Sequence, residues 1–139
     1  MFVTISACAQ SNSSMYNTNK NGVLIDGYDA VAYQSNKVSK GNSQYSYEYD
    51  GVTLYFSSAE NLNKFKSSPE KYIPAYGGWC AYAVGETKEK VDVNPNTYKI
   101  IDGKVYLFYN KNFTNTLKLW NKDEARLKKL ADQNWPQIK

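Results

Sequence analysis

Cys80 is the residue in this chain with the most chemistry to offer. It follows Tyr76-Gly77-Gly78-Trp79 and precedes Ala81-Tyr82-Ala83-Val84. If that apolar run opens a helix, the thiol lies at the positive end of the helix dipole, which favours a thiolate. A thiolate can act as a nucleophile or as a soft ligand for copper(I) or zinc. Set between Trp79 and Ala81, the same residue also reads as a small buried hydrophobe. Its partners are restricted, because the 139 residues include no histidine. No Ser-His-Asp or Cys-His catalytic unit can be assembled, and no HExxH zinc site. Two cysteines are also too few for a four-cysteine zinc site or an iron–sulfur cluster within one chain. The expectation is a protein that is not an enzyme.

Two carboxylates, Asp26 and Asp29, flank Gly27-Tyr28. As a pair they could exchange protons or hold a hard cation. As single residues they would cap a turn through nearby backbone amides. Asp29 is the candidate second metal ligand beside Cys80. Aromatic residues supply another kind of site, since thirteen of the residues are tyrosine. Tyr72, Tyr76 and Tyr82 are expected to crowd the Cys80 turn. A groove lined by Tyr28, Asp29, Tyr76, Trp79 and Tyr82 could bind a ligand by stacking and hydroxyl hydrogen bonds. Half-buried packing against a sheet is the alternative for these rings.

The charge of +4 is mild, and Arg126 is the only arginine. Nucleic-acid recognition usually needs clustered arginine, so no nucleic-acid partner is expected. The N-terminus suggests a different partner. Residues 1–8 read as the remnant of a signal peptide, and Ile5-Ser6-Ala7-Cys8 looks like a lipobox. Cys8 would then be lipidated, giving an exported bacterial lipoprotein, periplasmic or on the cell surface, held to a membrane by its acyl chains. A Cys8–Cys80 disulfide is the competing use of these two residues. Residues 9–22 are rich in serine and asparagine and read as a flexible polar linker.

The elements that must position these groups follow from periodicity. Tyr45, Tyr47 and Tyr49 alternate with polar residues, Asp50-Gly51 is a type I′ turn signal, and Val52, Leu54 and Phe56 alternate beyond it. That is a β-hairpin over residues 44–57. Ser57-Ser58 cap a helix running to about Ser67, and Pro69 opens another helical turn. Asn94-Pro95-Asn96 reads as a turn, and residues 97–109 form a second hairpin around Asp102-Gly103. From Lys111 the apolar spacing turns helical until Pro136 stops it. The class is α+β: one small domain over residues 23–136, with two hairpins forming an antiparallel sheet packed with several short helices.

Residues 26–136 resemble the YHS domain family, in its exported branch. The resemblance rests on Gly27-Tyr28-Asp29-Ala30-Val31-Ala32-Tyr33, on residues 49–61, on Phe65 and on Pro69-Glu70-Lys71-Tyr72. It continues through residues 76–84, 102–107, Tyr109-Asn110 and Asn134-Trp135-Pro136. The family implies a treble-clef-like core, and some members hold metal through cysteines in the first turn and at the hairpin–helix junction. The corresponding positions here look like Ala32, Ser57 and Asn61, so those ligands are missing. The resemblance therefore implies an exported binding protein, with copper or zinc handled through Cys80 as the candidate role. The alternative is a small-molecule or protein-binding module with a tyrosine-lined surface and a purely structural Cys80.

Overall fold

The structure of the chain, a computed structural model, describes residues 15–139. The expected signal remnant and Cys8 lie outside the described residues. The first hairpin pairs β1 (Asn42–Tyr49) with β2 (Val52–Phe56). Asp50 and Gly51 both take positive φ, 51° and 85°, the left-handed geometry that matches the twist of the flanking strands. β2 buries Val52, Leu54 and Phe56 on one face, while Tyr45, Tyr47 and Tyr49 of β1 pack half-buried against the same core. Helix α1 (Ala59–Ser67) follows, its first turn capped by Ser58 Oγ accepting the Asn61 N–H at 3.1 Å. Its Phe65 is fully buried, edge-on to Tyr49 at 5.5 Å and tilted on Phe56 at 5.2 Å. The short helix α2 (Pro69–Tyr72) opens on proline, as expected.

The second half supplies a second core, while its Val105 and Leu107 pack into the first. Helix α3 (Ala81–Glu86) follows Cys80 directly. Strands β3 (Asn94–Ile101) and β4 (Lys104–Phe108) make the second hairpin around Asp102-Gly103. Strand β3 starts three residues earlier than expected. Asn94 pairs with Phe108, and a register shift before Tyr98 absorbs the Pro95-Asn96 turn chemistry. The helical reading from Lys111 also changes. Residues 110–115 form a third hairpin, β5 (Asn110–Lys111) with β6 (Thr114–Asn115), before helix α4 (Thr116–Lys122) begins. Helix α5 (Glu124–Ile138) then runs through Pro136, which sits in its last turn. The fold is α+β, but the hairpins stay as separate two-stranded sheets and do not merge into one.

Two cores result. One gathers Leu24, Tyr33, Leu54, Phe56 and Phe65 around the first hairpin. The other gathers Tyr76, Val84, Phe108, Trp120 and Leu127 under α3, α4 and α5. Helix α3 crosses α5 so closely that a Cβ on Gly85 would stand 2.7 Å from the Leu127 carbonyl oxygen. Asn134 of α5 donates to the Val84 carbonyl at 2.9 Å, satisfying one of the last carbonyls of α3.

The domain begins earlier than residue 23. Tyr16 and Asn17, expected in a flexible linker, are buried. The Asn17 N–H donates to the Gly77 carbonyl at 2.8 Å, and the Trp79 indole donates to the Met15 carbonyl at 3.2 Å. A Cβ on Gly77 would lie 2.0 Å from that Met15 oxygen, and Gly77 has φ of 62°. Only glycine lets the N-terminal strap lie across this turn.

Candidate functional site

Asp29 is fully buried, and its carboxylate is saturated with donors. Oδ1 accepts the backbone N–H of Val31 at 2.8 Å and of Ala32 at 3.2 Å. Oδ2 accepts the Ser57 N–H at 2.9 Å, the Ser57 hydroxyl at 2.7 Å and the Asn61 amide at 2.8 Å. One side chain thus ties the turn after Tyr28 to the end of β2 and the start of α1. The expected pairing of Asp26 with Asp29 does not occur. Asp26 is exposed, bonded to Asn19 at 3.1 Å and Lys40 at 3.4 Å. The Asn19 amide, helped by the Lys40 charge, holds its pKa below the usual carboxylate range against a small burial penalty.

Cys80 is a free thiol with no exposed surface. Its sulfur accepts the Tyr109 N–H at 3.2 Å and lies 3.4 Å from Thr116 Oγ1. Thr116 spends its single hydroxyl hydrogen on the Tyr109 carbonyl at 2.6 Å, so the sulfur donates to Thr116. The Cys80 N–H is taken by the Val91 carbonyl at 2.9 Å. These bonds close a ring that pins the root of β5 and the start of α4 to the start of α3. The tyrosines expected around the thiol lie elsewhere. Tyr72 belongs to the first core, Tyr76 faces Tyr106, and Tyr82 packs half-buried on the second core.

An aromatic cleft of about 310 Å3 opens beside the N-terminal strap. Tyr16, Tyr76, Tyr106 and Trp135 supply its rings, and Lys104 and Asp132 its charges. Tyr76 meets Tyr106 edge-on at 5.6 Å and Trp135 at 6.1 Å. The Tyr76 hydroxyl donates to Asp132 Oδ1 at 2.7 Å, and Lys128 reaches Oδ2 at 3.0 Å. Burial and then the Asp132 carboxylate push the Tyr76 phenol far above its ordinary value. Burial, opposed by the Glu70 charge, lowers the Lys104 pKa. The Lys104 ammonium gives one hydrogen to the Glu70 carbonyl at 2.8 Å, at the edge of the cleft that Lys104 helps to line.

Of the residues expected to bind a ligand, only Tyr76 lines this cleft. Trp79 holds the strap from behind, and Asp29 is locked in its knot. Tyr28 lines a second, polar cleft of about 240 Å3 with Asn17, Asn19, Asp26 and Asp92. The aromatic partners were missed because Tyr106 falls out of phase with Val105 and Leu107. The available signal was the unbroken apolar run of β4, which reads as a strand buried on both faces.

The family model of the YHS domain matches residues 34–76. That segment is similar to a YHS domain. The match takes in the first hairpin, α1 and α2, and ends at Tyr76. No curated protein and no solved structure matches the chain. The YHS family is associated with metal handling, copper included. The residues at its expected ligand positions here do not fit a metal. Ala32 offers a methyl group, and Ser57 and Asn61 both spend side-chain donors on the Asp29 carboxylate. Among the described residues, no group of three His, Cys, Asp or Glu side chains is placed to hold a metal ion.

Proposed function

We propose that this protein is an exported, non-enzymatic binding module whose ligand site is the aromatic cleft, with Cys80 serving the fold. The observation that carries the reading is a contrast. The thiol is sealed with its hydrogen-bonding capacity used, whereas Tyr76, four residues before it, lines an open cleft with Tyr106 and Trp135. Clefts of this size take small molecules of modest mass. Ring faces favour a planar, ring-bearing ligand by offset or edge contacts. Lys104 adds a positive charge with unspent donors, while Asp132 is already neutralised by Lys128 and Tyr76. The ligand class is therefore a small ring-bearing carboxylate. Lipidation at Cys8 would place the module at a bacterial membrane, facing the periplasm or the cell surface.

The test is a titration of the full chain with benzoate, phenylacetate and indoleacetate, followed by Trp135 fluorescence and by amide shifts. Saturable shifts at Tyr76, Tyr106 and Trp135, lost in Lys104→Met, support the reading. Shifts scattered over the surface, or none, contradict it.

Metal handling is a second reading, favoured by the YHS match. With one buried thiolate donor at most, copper(I) or zinc would need ligands from outside this chain. Uptake of about one copper(I) that Cys80→Ser abolishes would support it.

A further inference from the structure

Phe113 is the one large hydrophobic side chain fully exposed among the described residues, at 111% of its reference area. It sits at the tip of the β5–β6 hairpin, where Asn112 and Phe113 are the two turn residues with φ of 53° and 66°. A type I′ turn favours glycine at the second of these positions, because a side chain with a Cβ is strained there. Phenylalanine at this point buries nothing and strains the backbone, so the fold gains nothing from it. The charge along the flanking sequence is equally one-sided, although Asp92 shares a cleft with Asn110 and Lys111. Residues 103–122 contain no Asp or Glu and four lysines: Lys104, Lys111, Lys118 and Lys122. Lys111, Lys118 and Lys122 are exposed on the segments that flank the tip.

We propose that the β5–β6 tip docks on an anionic lipid surface, with Phe113 inserted among the headgroups and Lys111, Lys118 and Lys122 facing the lipid charge. A protein interface needs a broad patch with an apolar core, and here a single ring projects without neighbours. A bilayer interface accepts one aromatic side chain flanked by cations. The chain path agrees. The Trp79 indole holds the Met15 carbonyl, and Cys80 holds the Tyr109 N–H at the root of β5. The chain thus enters the fold near the root of this hairpin. Met15 lies seven residues after Cys8, a stretch that spans at most about 25 Å when extended. An anchor at Cys8 would keep the tip within reach of the same surface, although the docking itself does not require one.

The test uses the full chain carrying Cys8→Ser, so that no acyl chain contributes. It is sedimented with vesicles of phosphatidylglycerol and phosphatidylcholine, or of phosphatidylcholine alone. Binding is expected to the first and to fall as salt rises. Phe113→Ser should lower the partition coefficient roughly tenfold. Lys111→Gln or Lys118→Gln should each lower it roughly fivefold. Phe113→Trp should keep binding. Phe113→Ser should not lower the melting temperature, because the ring touches nothing in the fold. Absence of binding to anionic vesicles, or binding equal to that of Phe113→Ser, overturns the proposal. So does a Phe113-dependent protein complex in a chain that ignores vesicles.

Discussion

The Asp29 carboxylate accepts the Asn61 side-chain amide at 2.8 Å, joining two positions 32 residues apart in sequence. Ser57 and the amides of Val31 and Ala32 complete the knot. Asp29→Ala should therefore orphan five donor contacts at once, two of them fully buried, and cost about 4 kcal/mol. Asp29→Asn keeps the volume but turns an amide hydrogen toward donors, and should cost nearly as much. Ser57→Ala and Asn61→Ala should each cost about 1.5 kcal/mol and should not add when combined. Chemical denaturation of the single and double variants measures this. Additive effects would mean the contacts do not form one network.

Gly77 sets the other side of the fold. Gly77→Ala meets the Met15 carbonyl at a backbone that cannot move aside cheaply, and should cost about 3 kcal/mol. The strap would lift, and Tyr16 would leave the cleft. Faster hydrogen exchange at Asn17, with exchange at Asp29 unchanged, is the expected signature.

Alkaline pH should weaken the fold through its phenols. Tyr16, Tyr33 and Tyr76 all have pKa values raised above the ordinary 10.0, by burial first. The folded protein therefore holds phenolic protons that the unfolded chain releases near pH 10.0. Their contribution is complete below that pH and is lost as pH rises above it, by up to about 1.4 kcal/mol per unit for each buried phenol. Denaturant midpoints should be flat from neutral pH to about pH 9 and fall steeply above about pH 10. Tyr76→Phe removes one of these phenols and its Asp132 bond, so it should cost about 1.5 kcal/mol near neutrality and flatten the alkaline fall.

Cys80 should resist alkylation. With the thiol buried and bonded to Tyr109 and Thr116, iodoacetamide should react only as fast as the chain opens. Trapping rates that rise with denaturant in step with unfolding would agree. Rapid labelling of the folded chain would revive a reactive thiol.

Local signals made much of this fold legible in the sequence. Asp50-Gly51 and Asp102-Gly103 announced both large hairpins, and Ser58 and Pro69 announced the starts of α1 and α2. The third hairpin was hidden because Asn112-Phe113 lacks the glycine such a turn prefers. Pro136 was read as a stop, although the last turn of a helix loses little to a proline when few bonds remain beyond it. The site was less legible. Asp29 could be named as a capping residue but not as a hub, because its partners Ser57 and Asn61 arrive from another element. Tyr16, Tyr106 and Trp135 come together only through long-range packing, and no spacing along the chain encodes that meeting.

The proposed ligand site is the aromatic cleft, and not Cys80. The most direct measurement is an amide and indole NMR titration of the full chain with ring-bearing carboxylates and, separately, with copper(I). Saturable carboxylate shifts centred on Tyr76, Tyr106 and the Trp135 indole, retained in Cys80→Ala, are expected. Silence at those residues, with copper(I) shifts centred on Cys80, Tyr109 and Thr116, would contradict this.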